Sequence, residues 1–155
     1  MELPSSLYER LLDLWPVARL ATLAPDGAPQ QVPIVFARRG ATLYSPVDGK
    51  PKRAGELARI RNARRDPRVS LLLDEYHGDW QRLWWLRVAG EARVVEPADP
   101  ERDREVAGAV VALRAKYPQY ERVPVLGPEP VMLAVRVRAQ RGWCASPDHL
   151  PFAVG

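Results

Sequence analysis

Cysteine, histidine and lysine are scarce in this sequence. The 155 residues include one cysteine and two histidines. A lone Cys144 excludes an internal disulfide, and because no second cysteine or histidine pair stands near it, no metal site is predicted. His77 and His149 accompany no serine or cysteine motif of the nucleophile type, so the sequence predicts no catalytic triad and assigns no catalytic residue.

Long apolar runs are also absent. No stretch of about 18 apolar residues indicates a membrane helix, and the N-terminal segment lacks the basic start and cleavage site of a signal peptide. With the lone cysteine, this predicts a soluble cytoplasmic protein without a membrane partner. Hydrophobic residue types make up 46% of the chain. We therefore expect one domain, residues 1–155, in which residues 144–155 form a C-terminal tail.

Arginine supplies nearly all of the positive charge. The net charge of +4 and the sequence pI of about 9.6 favour an anionic partner, whether nucleic acid, phosphorylated cofactor or acidic substrate. The arginines of residues 59–68 raise the alternative of nucleic-acid binding. Helix arginines are generally solvated, however, and no known nucleic-acid motif accompanies them, so no nucleic-acid partner is predicted.

Alternating apolar residues between turn signals predict six antiparallel strands. They cover residues 17–24, 29–37, 41–47, 68–74, 83–95 and 131–139. Pro33 cannot donate a ladder hydrogen bond, so an edge, a bulge or a ligand is expected there, and Gly90 predicts a bulge or a bend. In the last strand, Arg136 and Arg138 face solvent or a dimer partner. Six strands are too few for a sandwich, which favours an α+β fold with a small closed or split barrel.

Three helices are predicted to flank this barrel. The first covers residues 5–15 behind a serine cap, the second covers residues 54–65, and the third follows an Asp99 cap with Pro100 at its first position. The predicted buried stripes are Leu7, Leu11 and Leu14 on the first helix, and Val106, Val110, Leu113 and Tyr117 on the third.

A basic segment follows the third predicted strand. Two of the three lysines, Lys50 and Lys52, stand beside Arg53 shortly after Ser45, where the chain is expected to enter the second helix. Free N–H groups make a helix N-terminus electropositive, so cations there are unfavourable unless an anion is bound. The segment therefore indicates a phosphate site, while a solvated basic turn remains the alternative.

Aromatic residues are concentrated between positions 76 and 85. Adjacent residues of a strand point to opposite faces, so one of Trp84 and Trp85 is expected in the core and the other outside it. The outer tryptophan suits either core-like dimer packing or the stacking of a ring system. Arg87 shares the face of Trp85 and is a candidate partner for a phosphate or carboxylate, with a surface ion pair as the alternative.

These segments resemble a known family. RLATLAPDGAPQQVPIVF, KPKR, RIRNARRDPRVSLLLDEY and DWQRLWWLRVAGEARVV occur in the order seen in the pyridoxamine 5′-phosphate oxidase-like FMN-binding split-barrel superfamily, and they are similar to its F420-dependent branch. The resemblance implies a six-stranded antiparallel split barrel with flanking helices. It also implies a homodimer with a cofactor bound between the subunits, F420 or, alternatively, FMN.

The resemblance also implies the cofactor contacts. Arg19 and Thr22 would touch the cofactor, and the backbone from Gln31 through Pro33 to Val35 would lie along its ring. The phosphate would be held by Ser45, Lys50, Lys52 and Arg53. Trp85 and Arg87 would come from the partner subunit.

The implied activity is an F420-dependent reduction of an unidentified small molecule. The alternatives are an FMN-binding oxidoreductase and a non-catalytic carrier of flavin or F420. The cofactor performs hydride transfer itself, and a proton donor, if one is needed, would be Tyr44, Tyr76 or water. The C-terminal segment lacks the substrate-binding motif of a true pyridoxamine phosphate oxidase, so oxidation of vitamin B6 is not predicted.

Overall fold

The computed structural model describes residues 1–47 and 56–152. It contains the helices α1 (Tyr8–Leu14), α2 (Ala58–Arg65) and α3 (Pro100–Lys116). The strands are β1 (Ala18–Leu23), β2 (Pro29–Ile34), β3 (Ala37–Arg39), β4 (Thr42–Pro46), β5 (Arg68–Glu75), β6 (Trp84–Val95) and β7 (Met132–Cys144). Short 3-10 turns cover Ser5–Leu7, Trp80–Arg82, Pro118–Glu121 and Pro147–His149.

All seven strands join one antiparallel sheet in the order β2-β1-β5-β6-β7-β4-β3. The order gives β2 and β3 one neighbour each, so the sheet is not closed within the described residues. The predicted α+β split-barrel class with flanking helices is confirmed, but the predicted number of six strands is wrong. Because β2 lies at the edge of the sheet, it tolerates Pro33, which lacks the N–H that a central strand would need for pairing on both sides.

The extra strand arises because residues 29–37 do not form one strand. β2 ends at Ile34, and Ala37–Arg39 pairs with β4 instead. At Phe36 the backbone N–H donates to the Tyr117 hydroxyl oxygen at 3.0 Å, and the carbonyl lies 3.0 Å from the same hydroxyl. Since both polar groups of Phe36 meet a side chain from the end of α3, they are withdrawn from the strand ladder. The apolar alternation continues across this break and conceals it.

The longest pairing joins β6 and β7. It runs from Trp84 opposite Cys144 to Val95 opposite Met132, with the register shifted between Ala89 and Gly90. The bulge predicted at Gly90 is thus confirmed, and a Cβ there would lie 2.7 Å from the carbonyl oxygen of Arg136. β7 extends five residues beyond the predicted end at residue 139 because β6 provides a partner along that whole length.

The core lies on the inner face of the sheet. Trp84 is 1% exposed, its ring meets Trp15 edge-on at a centroid distance of 4.8 Å, and its indole N–H donates to Glu75. Helix α1 closes this core with Tyr8, Leu11 and Leu12. The predicted stripe on this helix was partly wrong, since Leu14 is half exposed and no side chain caps the helix.

The other two helices differ in how well they match the prediction. Helix α3 follows it, because the Asp99 carboxylate accepts a hydrogen bond from the N–H of Arg102 at 2.9 Å, and Val106, Leu113 and Tyr117 are buried. Val110 is half buried beside them. Helix α2 begins at Ala58, and the backbone of Leu57 before it is extended. The predicted helix start at residue 54 is therefore wrong for residues 56 and 57, which are not helical.

Lys116 fastens the end of α3 to α1. Its ammonium group donates to the carbonyl oxygen of Leu12 at 2.9 Å and lies 3.7 Å from the centre of the Phe36 ring. Burial lowers the pKa of Lys116 from 10.5 to about 8, against the opposing attraction of the Asp13 carboxylate. The folded protein therefore carries a desolvated cation at neutral pH.

Lys116→Met tests this burial through pH. Between pH 8 and 10.5 the unfolded chain retains the Lys116 proton that the folded chain has lost, so the contribution of Lys116 to the free energy of unfolding rises with pH in this window. The variant lacks this group. We expect the difference in urea-unfolding free energy, wild type minus variant, to increase from pH 8 to 10.5; a constant difference would show that Lys116 is not desolvated. The comparison cancels the titration of Tyr117 and other shared groups.

Candidate functional site

Five of the predicted cofactor residues lie on the outer face of the sheet, opposite the core. Directly paired residues of antiparallel strands point to the same side. One row of paired residues crosses five strands in the order Pro33, Arg19, Leu72, Arg87 and Arg141. The row aligns three exposed guanidinium groups across β1, β6 and β7. The outer face is therefore cationic along this line.

Trp85 lies beside that row on β6. Its ring is 5.7 Å from the guanidinium carbon of Arg87, a cation–π distance, and it is paired with Trp143 of β7. The prediction that Trp84 and Trp85 face opposite ways is confirmed, since Trp84 is buried and Trp85 is partly exposed on the outer face. Trp143 retains 37% of its accessible surface. Two tryptophans thus leave apolar area on the outer face.

A second row on this face consists of small side chains. Gln31 is paired with Ala21, and the row continues through Ser70 and Ala89 to Ala139. None of the four residues after Gln31 has a side chain larger than a hydroxymethyl group. A flat molecule can therefore approach the sheet closely along this row, beside the arginine row.

Thr22 and Ser45 lie on the other side of the sheet. Thr22 is 3% exposed, and its hydroxyl oxygen accepts a hydrogen bond from Asn62 of α2 at 3.0 Å. Ser45 is 4% exposed, and its hydroxyl oxygen has no hydrogen-bond partner in the described part of the chain. The structure does not place these two residues on the outer face with Arg19 and Arg87.

The remaining predicted residues fall in two groups. Lys50, Lys52 and Arg53 lie outside the described residues, so their contact with a phosphate stays a prediction. Val35 follows β2 and packs its side chain against the cluster around Leu113 and Tyr117. Only the backbone of Val35 is thus left for the predicted contact with a ring.

Three residues near these positions were missed from the sequence. Arg141 and Trp143 lie beyond the predicted end of the last strand, and Asn62 was treated as part of an arginine-rich helix. The signal available for Asn62 was its position on α2: it stands two residues after Ile60 and beside Ala63, and all three are buried. A lone asparagine on the buried side of a basic helix indicates a hydrogen-bonded role.

The proton-donor candidates are separated by the fold. Tyr44 is 6% exposed and donates to the Glu105 carboxylate at 2.9 Å, so its hydroxyl is engaged beneath α3. Burial first, and then this hydrogen bond, raise the pKa of Tyr44. Tyr76 is 82% exposed in the connection between β5 and β6, near Trp80 at 76%.

The arginines of residues 59–68 make intramolecular contacts. Arg64 pairs with Glu56 and Glu96, Arg68 pairs with Asp66, and Arg65 donates to the carbonyl oxygen of Leu23. Among the described residues, no three acidic, histidine or cysteine side chains are arranged to hold a metal ion. Within the same ranges, no helix combines the length and apolarity needed to cross a bilayer.

Comparison with known proteins identifies the family. A family model described as pyridoxamine 5′-phosphate oxidase matches residues 7–144. The chain belongs to this family. The match covers every strand of the sheet, so the pyridoxamine 5′-phosphate oxidase fold comprises the outer face as well as the core. The resemblance inferred from the sequence motifs is confirmed at this level.

Solved structures share the fold of this pyridoxamine 5′-phosphate oxidase family member. A conserved hypothetical protein from Mycobacterium tuberculosis superposes with a TM-score of 0.71 at 22% identity, covering 99% of this chain and 92% of that one. A FAD-binding protein from Mesorhizobium loti superposes with a TM-score of 0.69 at 24% identity, covering 92% of this chain and 95% of that one. An F420 reductase superposes with a TM-score of 0.60 at 24% identity, covering 89% of this chain and 98% of that one. No curated protein matches the sequence significantly.

Proposed function

We propose that this protein is an F420-dependent oxidoreductase that binds the deazaflavin between the two subunits of a homodimer and reduces a small molecule. The observation that carries the proposal is that Arg19, Gln31 and Pro33, and also Trp85 and Arg87, which the partner subunit is expected to contribute, all lie on the outer face of the sheet. These residues are distant in sequence and stand on three strands. An F420 reductase among the structural neighbours is consistent with this choice of cofactor.

The chemistry of the outer face suits a planar, anionic ligand. The row through Ala21, Ser70 and Ala89 leaves room for a ring, while Arg19 of one subunit and Arg87 of the other would supply charge-assisted hydrogen bonds to acidic groups. Arg19 also donates to Asp74 at 3.2 Å, an exposed ion pair of small energetic value that a ligand can displace. Trp85 and Trp143 add apolar surface for a second subunit to cover.

The end of β4 supports the predicted phosphate contacts. The Ser45 hydroxyl is buried and lacks a partner among the described residues, and a buried hydroxyl without a hydrogen bond is unfavourable unless a bound group supplies one. Ser45 also precedes Lys50, Lys52 and Arg53 by a few residues. An anionic group bound there would satisfy the hydroxyl and neutralise the cluster.

Once bound, F420 supplies the hydride-transfer chemistry. The tasks left to this chain are to bind the anionic tail through Ser45 and the basic segment, to orient the ring on the outer face, and to exclude water by pairing the two subunits. No side chain is required as a nucleophile.

Separate titrations with F420 and FMN test the proposal. We expect quenching of tryptophan fluorescence by F420 at micromolar concentration, one site per chain, and a dimer by sedimentation. Oxidation of reduced F420 with conjugated acceptors then measures turnover. Binding of FMN alone would favour the FMN alternative, binding without turnover would favour a carrier, and binding of neither cofactor would refute the proposal.

A further inference from the structure

Arg141 of β7 lies directly opposite Arg87 of β6 on the outer face of the sheet. The Cβ atoms of residues paired in this way are about 4.5–5.5 Å apart, and like charges placed opposite each other destabilise a sheet. Both side chains are exposed. Neither meets a carboxylate within residues 1–47 and 56–152: Arg87 contacts the Trp85 ring, and Arg141 makes no hydrogen bond, ion pair or ring contact there. An anion bound between the two guanidinium groups would replace this repulsion by attraction.

Two other exposed arginines of the sheet have acidic partners. Arg19 donates to Asp74 at 3.2 Å, and Arg138 donates to Glu91 at 2.8 Å. Arg138 stands only three residues before Arg141 on the same strand. Yet in the described part of the chain no acidic side chain serves Arg141 in this way. The facing pair of arginines is therefore a place where a carboxylate or phosphate from outside the chain fits.

The side chains on either side of this pair favour a planar ligand. Trp85 lies opposite Trp143 on one side, and Ala89 lies opposite Ala139 on the other. Trp143 retains 37% of its accessible surface, and Trp85 is partly exposed. The indole rings offer apolar surface to a conjugated system, the alanines leave space above the sheet, and the guanidinium groups suit an anionic group. A planar, conjugated anion matches all three features.

We propose that Arg141 is a specificity-determining residue of the substrate site, where it binds the anionic group of a planar substrate such as a conjugated carboxylate. This inference rests on the proposed function, in which Arg87 reaches the cofactor held by the other subunit. Neighbouring strands are about 4.8 Å apart, so Arg141 lies one strand spacing beyond Arg87. A molecule that receives hydride from the ring must lie against it, and there it comes within reach of Arg141.

Cinnamate and cinnamamide test the inference as a matched pair, because they share a planar conjugated skeleton and differ in charge. The indole N–H signals of Trp85 and Trp143 in NMR spectra of the isotope-labelled protein report binding beside the arginine pair, and Trp143→Phe assigns them. We expect cinnamate to bind about 10-fold more tightly than cinnamamide, the value of one charge-assisted hydrogen bond. Equal Kd values for the two probes overturn the inference.

Arg141→Gln should reduce the preference for cinnamate to less than about threefold. Because this change also removes one of two facing like charges, the Tm without ligand should not fall, and sedimentation should match the wild type. A lower Tm or an altered subunit assembly would assign Arg141 a structural role and overturn the inference.

Arg136→Gln is the matched control. It makes the same change of charge at an exposed position of the same strand, opposite Glu91 and away from the tryptophans. The control should keep the preference of the wild type for cinnamate. Loss of the preference in both variants would show that the net charge of the protein governs binding, and this would overturn the inference.

F420 separates a substrate site from a cofactor contact. In Arg141→Gln the Kd for F420 should stay within about threefold of the wild-type value, and cinnamate should still bind wild-type protein saturated with oxidised F420. Displacement of cinnamate by F420, or a loss of F420 affinity equal to the loss of cinnamate affinity, would make Arg141 a cofactor residue and overturn the inference. A wild type that binds neither F420 nor FMN refutes the proposed function and with it the substrate role, whereas F420 binding without a preference for cinnamate refutes the inference alone.

Discussion

Trp84→Ala is expected to lower the free energy of unfolding by about 3–5 kcal/mol, the range for truncating a fully buried tryptophan. The substitution removes a side chain that is 1% exposed and the edge-on contact with Trp15. It also leaves the Glu75 carboxylate without the indole N–H that donates to it at 3.1 Å. Urea unfolding followed by circular dichroism measures the loss.

Trp85→Ala is the matched control for that prediction. The same side chain is removed from the next residue, but on the outer face, where it is partly exposed and contacts Arg87. We expect a loss of about 1 kcal/mol or less in the isolated chain, together with weaker cofactor binding. Equal losses for the two variants would contradict the assignment of the two tryptophans to opposite faces.

The Lys52→Ala/Arg53→Ala double variant is expected to raise the Kd for the cofactor about 100-fold or more. Each residue is predicted to make a charge-assisted hydrogen bond to the phosphate, worth about 1.5–3 kcal/mol. The prediction rests on the sequence, because both residues lie outside the described ranges. Fluorescence titration at two ionic strengths measures the loss and its dependence on salt.

The control removes the same charge elsewhere. Arg102 and Arg104 are exposed on α3, so Arg102→Ala/Arg104→Ala changes the net charge equally without touching the basic segment. We expect the control to change the Kd less than about threefold. A comparable loss in both double variants would show that the net charge of the protein, and no specific phosphate contact, governs binding.

Local signals in the sequence predicted the fold where the signal and the final contact lie close together. The Asp99 cap is an example, because the carboxylate bonds to an N–H three residues away. The bulge at Gly90 is another, since only glycine lets the backbone approach Arg136 so closely. Contacts distant in sequence were missed. The break between β2 and β3 at Phe36 depends on the Tyr117 hydroxyl, and no sequence signal near residue 36 predicts it.

The candidate site shows the same division. Alternation along β6 placed Trp85 and Arg87 on one face, and the structure agrees. Spacing along the chain could not add Arg141, because its place in the arginine row depends on the pairing of β6 with β7. Nor could it show that Thr22 turns inward to Asn62 while Arg19, three residues earlier, faces outward.

By itself the sequence determined the family, the α+β class and most strands, because motif order and apolar periodicity are properties of the chain alone. Tertiary structure decided which side of the sheet each candidate residue occupies and which polar groups share a hydrogen bond. The physical reason is that strand pairing and helix docking join residues far apart in the chain. The Thr22 hydroxyl, for example, acquires its hydrogen-bond partner only when α2 brings Asn62 against the strand.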